Sequence, residues 1–274
     1  MRLHDAGEIA VYELAESRIS TKEQRDTMST RNCLARRIVV AVGVAAMVLG
    51  AGRLARRADA AAPTTGPNGE KLVPLEIKLP KPLFQGTPKH IKPAPTLEVY
   101  TEKPRPPFQV PEGLKNLALN KKVTSSDMAP IIGELSMVTD DDKEGADGSY
   151  VELGPGKQWV QIDLGASASI YALLVWHYHA EGRVYHDVVV QVSDDPDFIE
   201  GVKTIYNNDF DNSAGLGLGK QLEYIDDHRG RLIDAKNPKG EPVKGRYVRL
   251  YSNGNTSNDM NHYVEVEVFG KAAK

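Results

Sequence analysis

Along the C-terminal half of the chain, apolar and polar residues alternate with period two. Val248 and Leu250 alternate with Tyr247, Arg249 and Tyr251, and Val264, Val266 and Val268 alternate with Glu265, Glu267 and Phe269. That rhythm predicts strands buried on one face, with Glu265 on the outward side. Trp159 to Leu164 reads as another such strand, closed by a turn at Gly165. Further runs give predicted strands over 121–126, 158–164, 169–178, 186–193, 202–206, 246–251 and 262–269. Turn residues separate them, and no long stretch carries a helical period. The pattern predicts an all-β protein, an antiparallel jelly-roll β-sandwich. The interval 207–245 is too long for a plain connection and predicts a loop with a function or structure of its own.

Several short motifs occur in a recognisable order: Asn116-Leu-Ala-Leu-Asn120 with Lys121 to Ser126, the acidic loop Thr139 to Asp142, Trp159-Val-Gln-Ile-Asp-Leu-Gly165, Val190 to Ser193, Tyr247-Val-Arg-Leu250, and the terminal strand ending in Val268-Phe-Gly270. Together, over roughly 114–270, they resemble the discoidin family, the coagulation factor 5/8 type C or galactose-binding-like domains. The resemblance implies a binding module that does no chemistry. Two features depart from the family: Asp140-Asp141-Asp142 stands where Asp-Gly-Asp or Asp-Gly-Asn is common, and Tyr150 stands nearest the place of a tryptophan.

Charge and proline divide the 274 residues into three parts: 1–60, 61–111 and 112–274. Residues 112–274 carry 17 Lys and Arg against 26 Asp and Glu, a net −9, although the whole chain stands at −3. An acidic domain repels phosphate backbones, so nucleic acid is not an expected partner. Residues 63–111 hold 12 of the 17 prolines. Proline fixes φ and removes a donor, so this segment is expected to be extended, polyproline-like and free of regular sheet or helix. Leu75, Ile77, Leu83, Phe84, Ile91, Tyr100 and Phe108 recur within it, which suits a strap packed on the domain better than a solvated linker.

Residues 38–52 form an uncharged run of 15 behind Arg31, Arg36 and Arg37, followed by Ala58-Asp-Ala-Ala61. The run is short of the ~20 residues of a membrane span and reads as a signal peptide cleaved near Ala61, with Met28 as the start. The expected location is periplasmic or extracellular, by a Sec or twin-arginine route; an uncleaved membrane anchor is the alternative. The single cysteine, Cys33, leaves with the signal, so no disulfide and no lipidation are expected.

Three groups of residues are candidate sites. The resemblance implies a structural calcium ion, for which Asp140 and Asp142 supply carboxylates, Ser149 a hydroxyl and Glu265 the closing ligand; hard cations want six to eight oxygens. His177, His179, Arg183, Tyr185 and His186 form a cluster suited to a sugar, with polar groups on the hydroxyls and a ring on the apolar face. A hairpin through 180–184 would bring His186 toward His177 and His179; core packing of His186 is the competing reading. The third group is two amide-rich loops, with Asn207 and Asp209 in one and Asn255 and Asn258 in the other. Such residues chiefly stabilise their own turns and also make a polar recognition surface.

No nucleophile elbow, reactive cysteine or glycosidase carboxylate pair is present, so no enzyme is expected. The leading expectation is an exported, non-catalytic module that binds carbohydrate or a glycoprotein surface. A second is an interaction subunit docking on an exported protein partner, with the proline strap around it. A third is a histidine-metal enzyme on a cupin-like jelly roll, disfavoured because Glu181 follows the His-x-His pair by only two residues.

Overall fold

A computed structural model of the protein describes residues 65–272. The basic region, the 38–52 apolar run, Cys33 and the expected cleavage near Ala61 lie outside the described residues. Twelve strands follow in order: β1 (Leu72–Pro74), β2 (Gln109–Pro111), β3 (Lys115–Asn116), β4 (Lys122–Ser125), β5 (Val151–Leu153), β6 (Lys157–Trp176), β7 (Val189–Ser193), β8 (Lys203–Asn207), β9 (Arg231–Asp234), β10 (Val243–Asn253), β11 (Asn261–Tyr263) and β12 (Glu265–Ala272). One 3-10 turn, Leu135–Thr139, is the only helical element among the described residues. The strands of the main sheet run β3-β12-β6-β10-β7-β8, with β4 and β9 also paired to β6, and every pairing is antiparallel. This is the expected all-β class.

Strand β6 is the axis of the fold. Its first half, Lys157 to Asp163, pairs with β10 and its second half, Ala168 to Trp176, with β12, so one 20-residue strand replaces the two predicted over 158–164 and 169–178. The turn expected at Gly165 is a bend instead: Gly165 has φ of 90°, and its N–H is taken by Asp163 Oδ1 at 2.8 Å while the chain stays extended. A left-handed φ favours glycine and lets the strand turn without breaking. Elsewhere 186–188 and 177–178 lie outside strands, and the last predicted strand is interrupted at Val264.

The alternating residues meet as predicted on one side. Val160, Ile162, Leu173, Val175, Val190, Val192, Val248, Leu250, Val266 and Val268 form the main core. The other side of the second half is buried too: Ala172, Leu174, Trp176, Val264 and Phe269 make a second cluster, with Leu75, Ile77 and Phe108 of the strap packed against it. The proline segment is therefore not free of sheet. β1 pairs with β2, joining Leu72 to Pro111, Val73 to Val110 and Pro74 to Gln109. Its prolines sit at the strand ends, where a missing N–H costs the ladder least. Glu265 and Glu267, expected to face water on the outward phase of β12, are buried as well, with Asp141 and Lys143 of the acidic loop against them.

The strap then crosses the loops. Ile91 joins Val184 and Ile225 in a third cluster, with Phe84, Leu97 and Tyr100 against it. Gly182, at φ of 65°, lies directly beneath it, because a Cβ there would meet Pro88 Cγ at 2.6 Å and Phe84 Cζ at 2.8 Å.

Candidate functional site

The acidic loop and the last strand do converge, through Glu265 as predicted, but with Asp141 and Glu267 beside it in place of Asp140, Asp142 and Ser149. Asp141, Glu265 and Glu267 bring carboxylate oxygens within 4.8 Å of one another, a set that could hold a metal ion. The Asp141 N–H bonds Glu265 Oε2 at 3.2 Å. Asp140 Oδ1 accepts the Asp142 N–H at 2.9 Å, and Asp142 Oδ1 the Glu144 N–H at 3.0 Å, so both flanking aspartates cap their own loop. Ser149 is half-buried, and its N–H donates to the Ala146 carbonyl at 3.0 Å.

A cation of the protein's own lies in this set. Lys143 Nζ bonds Glu267 Oε1 at 3.0 Å and pairs with Asp141, and it stands 5.7 Å from the Trp176 ring centroid. Two buried carboxyls, Glu265 and Glu267, and the exposed Asp141 face one ammonium, and ionising both buried carboxyls beside a single cation is costly. Burial accordingly pushes the Glu265 carboxyl up to about 9, with the Asp141 N–H and Lys143 pulling the other way. Burial raises Glu267 as well, against Lys143. Glu265 Oε1 and Glu267 Oε2 are buried and without a hydrogen-bond partner among the described residues. Unpartnered buried acceptors are costly and mark a site that can still take a cation or a proton.

Sequence placed the sugar candidates in 177–186, and the structure splits them. His177 is wholly buried, with Nδ1 3.3 Å from Asp226 Oδ1 and its ring stacked on Tyr185 at 4.4 Å. His179, also wholly buried, donates from Nε2 to the Lys143 carbonyl at 3.0 Å. Gly145, with φ of 62°, makes room for that ring, since a Cβ would stand 2.5 Å from His179 Nε2. No hairpin joins His186 to them: the 180–184 segment is a loop under the strap, and His186 turns to Glu223, Nδ1 to Oε1 at 2.9 Å.

Arg183 and Tyr185 belong to a different group, with residues that sequence reasoning did not assign. Tyr150 and Tyr178 stand edge to face at 5.0 Å, both half-buried, and the Arg183 guanidinium lies 4.5 Å over the Tyr178 ring. Tyr185 and Glu152 flank His262, the Tyr185 hydroxyl at 2.9 Å from Nδ1 and Glu152 Oε2 at 2.9 Å from Nε2. Burial, reinforced by Arg183 and His177, lowers His262 to about 3, so the ring is neutral. Tyr185 then donates to Nδ1 and Nε2–H donates to Glu152, a relay that fixes the tautomer. Arg183 gives Nη2 to Glu181 at 2.9 Å, while its Nε and Nη1 are buried without a partner among the described residues. Two half-exposed rings beside unspent guanidinium donors can stack on one face of a sugar and bond its hydroxyls. The signal available in sequence was Tyr150 after the acidic loop, whereas Glu152 and His262 meet only through the pairing of β5 with β11.

The amide loops are largely occupied with themselves. Asn207 donates from Nδ2 to the Gly217 carbonyl at 2.8 Å and accepts the Asp209 N–H at 2.8 Å. The Asp209 carboxylate accepts the Ser213 and Ala214 N–H groups at 3.1 and 3.0 Å. Asn255 donates to Asn258 Oδ1 and the Met260 carbonyl and accepts from Ser257, leaving Asn258 exposed at the tip.

No family model matches this chain, and no curated protein does. Solved structures do resemble it. The CBM32 module of AlyQ, solved in complex with 4,5-unsaturated mannuronic acid, is 19% identical over 54% of this chain and 93% of its own, with a TM-score of 0.36. Chitosan-binding module 1 from the chitosanase/glucanase of Paenibacillus sp. IK-5 is 21% identical over 57% and 99%, at 0.38. The fucolectin of Morone saxatilis serum is 18% identical over 59% of this chain and 50% of its own, at 0.40. These are discoidin-like galactose-binding folds, the class that the sequence motifs resemble. Likeness at this level bears on fold alone, and the architecture rests on the strand order described above.

Proposed function

We propose that this protein is an exported, non-catalytic carbohydrate-binding module whose sugar site is the Tyr150, Tyr178, Arg183 and Glu152 group. The observation that carries the reading is Arg183: a guanidinium stacked on a half-exposed tyrosine, with two buried N–H-bearing nitrogens and no acceptor for them among the described residues. A vicinal diol offers acceptors at the spacing of an arginine fork. The group contains no activated nucleophile, and its one histidine is held neutral between two partners, so the chemistry it supports is recognition.

A structural calcium ion at Asp141, Glu265 and Glu267 is the second element of the proposal. Calcium would ionise Glu265, satisfy the two unpartnered oxygens and displace the Lys143 ammonium. Export rests on the order of basic residues, apolar run and Ala-x-Ala segment; among the described residues no helix is long and apolar enough to cross a membrane. A glycan array on the exported chain, with calcium and with EDTA, tests the function. Glycan binding that Arg183→Ala abolishes supports it, and an empty array under both conditions favours a protein partner.

A further inference from the structure

A cavity of about 190 Å³ lies where the strap crosses the 224–232 segment, lined by Glu98, Tyr100, Arg105, Asp227, Arg229 and Arg231 together with Thr101 and Tyr224. Three guanidinium groups enter it with two carboxylates. Arg229 Nε reaches both Asp227 oxygens, at 3.1 and 2.8 Å. Arg231 forks onto Glu98 at 2.8 and 2.7 Å. Each acid is thus matched to one arginine. Arg105 has no carboxylate partner among the described residues, and its Nη2 donates instead to the carbonyls of Arg229 and Gly230, at 3.2 and 2.6 Å. Burial and the neighbouring Arg229 disfavour its charge. Two further donors are unspent: Arg231 Nε and the hydroxyl of buried Tyr224 have no partner among the described residues.

A lined cavity with one uncompensated positive charge and unused donors is complementary to one anion. We infer that it binds the carboxylate of a single uronic-acid sugar, held by Arg105 with Tyr224 and Arg231 as further donors. Arginine's planar fork matches a carboxylate, and water exclusion strengthens the pairing. The cavity is well below the ~300 Å³ at which clefts begin to take drug-sized ligands, so it fits one ring and not a chain. Remaining lone pairs on the Asp227 and Glu98 oxygens, already paired with Arg229 and Arg231, and on the Thr101 hydroxyl can accept from sugar hydroxyls, which an acidic peptide side chain would not supply. The choice of a sugar rests on the carbohydrate reading above. The site itself does not, since half of it is built by the strap.

The test is a thermal melt of the exported chain titrated with D-glucuronate, with D-glucose and sodium acetate at matched ionic strength. Glucuronate is expected to raise the melting temperature saturably, and glucose and acetate are not. Arg105→Gln should weaken the response at least about tenfold, as loss of one member of a desolvated charge pair does. Arg105→Lys, which keeps the charge and the strap contact, should give an intermediate affinity and so decides the matter if Arg105→Gln undocks the strap. Equal shifts with glucose or acetate, or unchanged affinity in both Arg105 variants, overturn the inference. Arg183→Ala separates the two sites: a glucuronate response that it abolishes belongs to the aromatic group and overturns this cavity alone. A response that it spares, beside an empty glycan array, leaves the cavity and removes the other reading.

Discussion

Lys143 and Glu267 form a 3.0 Å ion pair in which the side chains are only 6% and 8% exposed. The pair lies beside a second buried carboxyl, Glu265, and the charge of Lys78 in the strap also acts on Glu267. Its placement means that the strap, the acidic loop and the last strand share one electrostatic balance. Breaking a buried pair from one side costs far more than the pair itself contributes.

Stability is expected to depend on pH in a direction set by two groups. Glu265 is raised from 4.5 to about 9, so the folded state holds a proton that the unfolded chain has lost; stability is full below 4.5 and declines as pH rises toward about 9. His262 is lowered from 6.5 to about 3, so its contribution is full above 6.5 and declines as pH falls toward about 3. Chemical denaturation across pH 3 to 10 should therefore show greatest stability between about pH 4.5 and 6.5, with Glu265→Gln flattening the alkaline limb. An alkaline limb unchanged in Glu265→Gln would show that another group sets it.

Calcium should act through the same carboxyls. At a hundredfold excess over Kd, binding to the native state adds about 2.7 kcal/mol. Lys143→Met leaves the carboxylates without their ammonium and is expected to cost about 3–5 kcal/mol in EDTA, as one-sided loss of a buried pair does. Calcium should restore most of that loss, and Glu265→Gln should remove the restoration. Superimposable melts in calcium and EDTA, for both the natural chain and Lys143→Met, would exclude calcium from this cluster.

The strap is expected to behave as part of the domain. Phe108 packs on the second cluster and carries Lys236 Nζ 4.2 Å over its ring. Because Phe108 is only partly buried, Phe108→Ala should cost about 2 kcal/mol, under the ~3–5 kcal/mol of a fully buried ring. A chain cut between the strap and β3 should melt well below the intact one; equal melting temperatures would mean that the strap is merely draped.

The strands were legible wherever one face is apolar, because alternation reports burial directly: Val248, Leu250, Val266 and Val268 all point into the main core. What misled the reading was cover that comes from far away in sequence. Glu265 and Glu267 follow the outward phase, and that side is covered by the acidic loop, through Asp141 and Lys143, and by apolar strap residues packed beside it. Gly165 read as a stop because a glycine ends the alternating run, yet its left-handed φ makes a bend, with the N–H satisfied, that lets one strand serve two partners. At the candidate sugar site the sequence yielded Arg183 and Tyr185, while Glu152 and His262 are 110 residues apart and only the β5–β11 register joins them. His177 and His179 looked available because a polar side chain in sequence shows no partner, and theirs are Asp226 and the Lys143 carbonyl.

Arg183 and His179 sit four residues apart and should respond in opposite ways. Arg183 has spare donors beside a half-buried ring and its ion pair is with an exposed glutamate, so Arg183→Ala is expected to abolish glycan binding, with a stability loss set by its packing on Tyr178 more than by the ion pair. His179 is sealed under the acidic loop, so His179→Ala leaves the Lys143 carbonyl unsatisfied and a ring-sized gap against Gly145. That change should cost about 1–3 kcal/mol from the orphaned acceptor alone, with glycan affinity preserved in the folded fraction. Tyr178→Phe separates stacking from hydrogen bonding at the same place: the ring under the guanidinium is kept, so binding should persist, whereas Tyr178→Ala should remove it. Isothermal titration of the four variants with whichever glycan the array selects decides the matter. If His179→Ala abolishes binding at full stability while Arg183→Ala leaves it intact, the sugar site lies with the buried histidines and the aromatic group must be given up.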